Sequence, residues 1–285
     1  MNHPAELAIH SFLQKVTEGK SSVDGDILDM VAQDVRDALA RQFSGEKRSF
    51  KLRMSNIGRK KCQLWFEKNQ PDEKIPNSPY FLINMILGDI IEAVFKGLLR
   101  AAKVEFSDSE QVTLKLNDMS VDGTYDLVLN GRVDDVKSAS PWAYENKFID
   151  LATLQGKDSF GYVSQLVGYA KAKGIPVGGW WVVNKANGNF KYVSANTVDV
   201  DKEMEHIQNT VDYINNDEPF ERCYEPVEET YYGKPSGNLK LGVECSLCSY
   251  REKCWDLQVL PSKVSKSANP PLINYIKLAD AQDTI

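Results

Sequence analysis

The stretch "DGTYDLVLNGRVDDVKSAS", Asp122 to Ser140, gathers acidic and basic residues at spacings that can do chemistry. Asn130 and Gly131 lie between two β-rich runs and signal a two-residue hairpin turn. In such a hairpin, positions whose numbers sum to 261 face each other, so Asp126 stands opposite Asp135, and Thr124 opposite Lys137. Side chains alternate along a strand, so Asp135 and Lys137 share a face and Asp134 takes the other. Two opposed carboxylates repel unless a cation lies between them, and hard divalent ions such as Mg or Mn bind carboxylates, waters and phosphates. A charged, solvated outer face of an exposed hairpin is the competing reading, with Asp122 and Asp134 as rival carboxylates.

A long apolar run from Tyr80 predicts a helix to about Ala102, on which Met85, Gly88, Glu92, Phe95 and Leu99 form one stripe. Glu92 is the one ionisable residue of that stripe, and a buried carboxylate needs a partner or a metal. Gly88, one turn earlier, permits close approach of a neighbouring chain. A second helix around Tyr162 to Lys173 puts Gln165 and Tyr169, four apart, on one polar face.

The cysteines carry a different chemistry. "CSLCSYREKC" places Cys245, Cys248 and Cys254 where the first two thiolates reach one metal centre. Cys62, far upstream in "GRKKCQLWF", completes four, and Cys223 reads as an ordinary free thiol. Four thiolates suit zinc or a four-iron cluster, and spacing does not choose between them. Five cysteines, an odd number spread this way, do not make a secreted disulfide scaffold.

The helical acidic residue, the Asp after "GTY" and the "DVK" on the next strand resemble the PD-(D/E)xK nucleases. The likeness makes Asp126 the first motif carboxylate and Asp135 and Lys137 the (D/E)xK pair. "QLVGY" at Gln165 to Tyr169 is similar to the QxxxY motif of RecB-like members, many of which carry His where Glu92 stands. A cysteine before the core and a CxxCxxxxxC after it resemble the iron-sulfur members, including the AddB nuclease domain and the CRISPR-associated exonuclease family.

The resemblance covers roughly Arg53 to Trp255. It implies a restriction-endonuclease-like α/β core and DNA phosphodiester hydrolysis, with an exonuclease favoured over an endonuclease. It further implies Mg or Mn held by Glu92, Asp126, Asp135 and the Val136 carbonyl, and a 4Fe-4S cluster on Cys62, Cys245, Cys248 and Cys254 that staples the domain. Lys137, Gln165 and Tyr169 complete the catalytic set. The alternatives are a non-catalytic DNA-binding module of the same fold with a zinc or iron-sulfur staple, and a cluster-bearing redox or scaffolding protein.

The elements that must position these groups follow from the rest of the 285 residues. Helices around Glu6 to Val16 and Asp26 to Phe43, the second with Ile27, Met30, Val31, Val35 and Leu39 on one face, predict an N-terminal helical subdomain over 1–46. A nuclease domain over 47–260 contains strands from near Val112, a strand at Gly178 to Lys185 and a helix over Val200 to Asn215. Residues 261–285, with "NPP" at Asn269, read as an irregular tail.

Net charge is −6, which excludes whole-surface attraction to nucleic acid and leaves local patches. One such patch runs from Lys47 to Lys61, with Lys47, Arg48, Lys51, Arg53, Arg59, Lys60 and Lys61 and no acidic residue. Arg53, Arg59, Lys60 and Lys61 are its candidate DNA contacts, on single strands or duplex ends; a solvated basic loop is the alternative. Trp142 and Tyr144 either stack on unpaired bases or pack. Gly88, Asp89 and Glu92 interrupt the longest apolar run, and no secretion signal is apparent, so the sequence points to a cytoplasmic protein off the membrane, with an oligomer left open.

Overall fold

The structure is a computed structural model that describes residues 3–45, 49–263 and 265–279. The chain divides into two compact units, one made of residues 1–58 and 78–212, the other of 59–77 and 213–285.

The first unit begins with α1 (Pro4–Thr17) and α2 (Gly25–Gln42). Unit two then takes α3 (Lys61–Asn69) and the chain returns to unit one with α4 (Pro79–Ala101). Five short strands follow: β1 (Phe106–Ser107), β2 (Glu110–Lys115), β3 (Ser120–Tyr125), β4 (Leu127–Leu129) and β5 (Arg132–Ala139). After them come α5 (Pro141–Asn146), α6 (Leu151–Gly156), α7 (Tyr162–Lys173), β6 (Val177–Asn184), β7 (Phe190–Ser194) and α8 (Val200–Asn215). These are α/β elements around a mixed sheet of order β1-β4-β5-β6-β7, in which only β5 and β6 run parallel. Strands β2 and β3 form a separate antiparallel pair.

One face of the sheet buries Leu127, Leu129, Val136, Trp181 and Phe190 against Phe95 and Leu99 of α4 and Ala5 and Ile9 of α1. By strand alternation Asp135 and Lys137 point to the opposite face, the side on which Tyr162 of α7 lies. Helix α2 packs on α4, where Gly97 makes room for Val31. The two N-terminal helices thus belong to the same compact unit as the sheet. Met30, expected on the packed face of α2, is exposed, while Ala38 is buried.

The β4–β5 turn has the anticipated form: Asn130 and Gly131 both have positive φ (51° and 71°), and Leu127 pairs with Asp134, Val128 with Val133 and Leu129 with Arg132. The pairing stops there. Beyond Asp126 the strand leaves the sheet to join β2, so Thr124 faces Gln111 and not Lys137.

In the second unit, β8 (Val227–Tyr231), β9 (Lys234–Lys240), β10 (Gln258–Pro261) and β11 (Leu272–Lys277) make an antiparallel sheet of order β10-β11-β9-β8. Between β9 and β10 lie α9 (Val243–Ser246) and α10 (Arg251–Cys254). The segment read as an irregular tail therefore holds a central strand, β11, whose Tyr275 is buried and donates to Glu229 Oε1 at 2.7 Å. Among the described residues, no helix is long and apolar enough to cross a membrane.

Two glycines fix the entry to α7. Gly161 has φ 77°, and a Cβ on it or on Gly58 would strike the other's backbone. The chain passing 53–58 is thereby pressed against the start of the helix that carries Gln165 and Tyr169. Gly161→Ala must adopt a left-handed backbone and push that chain away, and is expected to destabilise the fold by about 2–4 kcal/mol in urea unfolding, whereas the exposed Gly156→Ala costs under about 1 kcal/mol.

Candidate active site and cysteine group

Strand β5 places two adjacent aspartates in opposite environments. Asp134, on the core side, is buried and accepts from the Gly179 amide (2.8 Å), Trp181 Nε1 (3.1 Å) and the Tyr192 hydroxyl (2.9 Å). Burial still pushes its carboxyl up to about 7. Asp135 is 2% exposed, and its Oδ2 is paired with Lys137 Nζ at 2.5 Å. Its Oδ1 is buried with no hydrogen-bond partner.

Asp126 sits in the break between β3 and β4, with Oδ2 accepting from the Val136 amide at 2.7 Å. That bond, not a cross-strand side-chain pair, brings it to β5. Burial and then the Asp135 charge raise its carboxyl; burial raises that of Asp135 against the pull of Lys137. Burial opposes the charge on Lys137, but Asp135 and Asp126 outweigh it and hold the ammonium above its ordinary range. The site is thus a buried and a half-buried carboxylate sharing one lysine, with one negative charge too many for that lysine to balance.

Glu92 of α4 feels both carboxylates and Lys137, and burial raises it as well. It has a protein partner: Lys96 Nζ, itself buried, lies 2.7 Å from Oε1. That partner stands four residues along the same helix, a spacing legible in the sequence, and it means Glu92 need not have a metal to be tolerated. Gly88 faces Ser138 Oγ of β5, so the close approach is to a side chain. Met85, at the outer end of the expected stripe, is exposed while Phe95 and Leu99 are buried.

From α7, Gln165 Nε2 donates to the Tyr169 hydroxyl at 3.3 Å, and burial lifts that phenol to about 12, with Asp135 and Asp126 adding to the shift. Lys137 Nζ stands 5.1 Å from the Tyr162 ring centroid, and Lys147 Nζ 4.5 Å from the same centroid. Lys147, buried and 3.9 Å from Asp158, is a second cation near the site that no spacing in the sequence announced. Trp142 is exposed under Lys157, and Tyr144 packs beneath Lys191.

Of the basic residues, Arg53 belongs to the first unit, where its amide donates to Asn56 Oδ1 at 2.8 Å. Arg59, Lys60 and Lys61 belong to the second: Arg59 pairs with Glu67 at 3.2 Å, and Lys60 and Lys61 lie over the Tyr224 and Tyr213 rings. Lys51 pairs with Asp122 at 2.9 Å, which removes Asp122 from the carboxylate group. Lys47 and Arg48 lie outside the described residues.

All five cysteines fall in the second unit, each half-buried and free of disulfides. Cys245 lies in α9 and Cys254 ends α10; the amide of Cys248 donates to the Cys245 carbonyl (3.1 Å), and the Tyr250 amide donates to Cys248 Sγ at 3.4 Å. Burial raises the thiols of Cys245, Cys248 and Cys254. Cys62 of α3 meets Cys223: its amide donates to Cys223 Sγ at 3.2 Å, and the two thiols share a hydrogen bond that raises Cys62 and lowers Cys223. Cys223 is therefore not an isolated thiol.

Among the described residues, no three His, Cys, Asp or Glu side chains are already gathered as a metal-holding set. The donor chemistry nevertheless fits a divalent ion at Asp126 and Asp135, because Oδ1 of the buried Asp135 has no partner and its Oδ2 has only Lys137. It fits a thiophilic metal at the cysteines.

No family model matches this chain, and no curated protein matches it. Among solved structures, one titled "Crystal structure of SSO0001" aligns over 67% of this chain and 87% of that one, at 11% identity and a TM-score of 0.38.

Because Asp126 is raised to about 7, above its unfolded value, the fold holds an unwelcome charge at higher pH and is relieved of it as the pH falls through about 7 towards the ordinary carboxylate range. In metal-free buffer Asp126→Asn, which can still accept from Val136, is expected to be more stable than wild type by about 1–4 kcal/mol at pH 8, with the difference shrinking towards pH 4. Thermal unfolding across that range, repeated with Mg or Mn, checks it; the ion should raise the wild-type midpoint and not the variant's.

Proposed function

We propose that this chain is a divalent-metal-dependent deoxyribonuclease of the PD-(D/E)xK superfamily, RecB-like, with a restriction-endonuclease-like core and a 4Fe-4S cluster bound by its cysteines. The observation that carries the reading is the Asp126, Asp135 and Lys137 group: a buried carboxylate with one oxygen left without a partner, a half-buried carboxylate beside it, and a single lysine to answer both. A structural ion pair needs one carboxylate per lysine and satisfied oxygens. A site for a metal and a phosphate needs spare oxygen lone pairs and a cation left over for the substrate.

Asp126 and Asp135, with the Val136 carbonyl, are the residues to hold the ion; Glu92, tied to Lys96, is the weaker donor. When bound, Mg or Mn supplies Lewis-acid polarisation of the scissile phosphate and a lowered pKa for attacking water. Lys137 keeps its proton throughout neutral pH, so its Nζ can orient that water and offset the charge developing on the phosphoryl oxygens. Tyr169 also keeps its proton, and with Gln165 it can donate to a carboxylate or to the substrate strand without gaining charge of its own. Arg53, Arg59, Lys60 and Lys61 are assigned to the DNA backbone. Cys62, Cys245, Cys248 and Cys254 are the ligands assigned to the cluster, which would fasten α3 to the loop carrying α9 and α10.

End-labelled single- and double-stranded DNA, incubated with anaerobically purified protein and Mg or Mn, tests this directly. Wild type is expected to cut. Lys137→Ala and Asp135→Ala should each lose about 10²–10⁴-fold in rate while retaining the same visible band near roughly 400 nm and the same circular dichroism. A colourless protein that binds DNA and cuts nothing in any variant would instead describe a binding module.

A further inference from the structure

A centre built on Cys62, Cys245, Cys248 and Cys254 has no use for Cys223, yet the second unit holds that residue against Cys62 with care. Three segments meet there: α3 with Cys62, the connection from α8 to β8 with Cys223, and the loop of α9 and α10. Aromatic rings pin them. Phe220 lies 5.2 Å from Trp65 and 4.9 Å from Phe66, and Phe66 stacks on Tyr250 at 5.2 Å.

Polar contacts fix the middle segment further. Trp65 Nε1 donates to the Glu218 carbonyl at 3.0 Å, Lys68 Nζ to the Ile214 carbonyl at 2.6 Å, and the Tyr213 hydroxyl to the Pro219 carbonyl at 2.6 Å. One residue before Cys223, the Arg222 guanidinium donates to the Cys254 carbonyl at 2.7 Å and lies over the Trp255 ring. These contacts hold the residues that lead directly into Cys223. Its Sγ accepts from the Cys62 amide at 3.2 Å, which sets the two cysteines side by side. A disulfide requires such neighbours, with Cβ atoms about 3.5–4.5 Å apart.

We propose that Cys62 and Cys223 are a reversible disulfide pair, formed by a hydroperoxide whenever Cys62 is not bound to metal, so that oxidant and metal compete for Cys62. In the first step one thiol takes an oxygen atom from hydrogen peroxide, giving a sulfenic acid and water. In the second the other thiol displaces the hydroxyl, forming the S–S bond and releasing a second water. Two thiols are oxidised by two electrons and one peroxide is reduced. A dithiol reductant reverses the bond by exchange and returns Cys62 to the ligand set. The competition rests on the metal-centre reading above; the disulfide itself does not.

The test uses the full chain, as purified and after anaerobic chelation, exposed to hydrogen peroxide, alkylated and mapped by mass spectrometry without reduction. The stripped chain is expected to lose the mass of two hydrogen atoms in a cross-linked peptide joining Cys62 to Cys223, reversed by dithiothreitol. Cys223→Ser and Cys223→Ala should keep the wild-type circular dichroism and yield no cross-link to Cys62. A cross-link through Cys245, Cys248 or Cys254 instead, or over-oxidation with no cross-link, overturns the proposal. Metal-loaded protein should cross-link about tenfold more slowly than stripped protein; equal rates overturn the competition and leave the pair. Failure of the reduced chain to take up iron or zinc at all overturns the metal-centre reading and not the disulfide.

Discussion

Two carboxylates and one lysine share a site that is largely withdrawn from solvent, and much of the first unit is arranged around keeping them there. Asp135 is buried with one oxygen unpartnered, Asp126 is held beside it by the Val136 amide, and Lys137 answers both. In isolation such a group is unfavourable, because each buried charge forfeits hydration that the single ammonium only partly replaces. The surrounding sheet must therefore supply stability that the site does not. It does so with the apolar layer on its other face, where Val136 and Trp181 pack against Phe95 and Leu99.

The contrast between Asp134 and Asp135 shows how local that division is. The two are neighbours on one strand and equally buried, yet the pleat turns Asp134 into three neutral donors and Asp135 only towards Lys137. A bulge where β5 meets β6 makes room for the first: Gly178 and Gly179 bring the backbone against Asp134, where any Cβ on Gly178 would collide with its carboxylate. Asp134 is a structural strut between β5, β6 and β7; Asp135 is left with one oxygen unpartnered. Glu92 falls between these cases, half-satisfied by Lys96 and still within the field of the pair.

The second unit solves a different problem with softer chemistry. Its sheet has few buried apolar residues, and its strands include Pro235 and Gly237. An aromatic cluster of Trp65, Phe66, Phe220 and Tyr250 takes the place of a larger core, and the five thiols lie along the segments it joins. Metal ligation at such a place would convert binding free energy into folding free energy for the whole unit.

The sequence alone was enough for whatever depends on short-range periodicity. The Asn130–Gly131 turn demanded positive φ at both positions and so fixed the register of β4 and β5, and with it the shared face of Asp135 and Lys137. Helices α4, α7 and α8 and strand β6 were legible because their apolar spacing is unbroken over several turns or pleats. The sheet of β8 to β11 was not, since a Tyr232–Gly233 turn, a proline and short strands leave little alternation to read, and β11 lies in a segment whose prolines suggested irregular chain. Tertiary structure alone decided which carboxylates are satisfied, because hydrogen-bond satisfaction depends on neighbours distant in the chain: Lys51 claims Asp122, residues of β6 and β7 claim Asp134, and Asp135 gains no distant donor beyond its strand neighbour Lys137. It alone also brought Cys223 to Cys62 across 161 positions, a meeting set by ring packing and not by any spacing of cysteines.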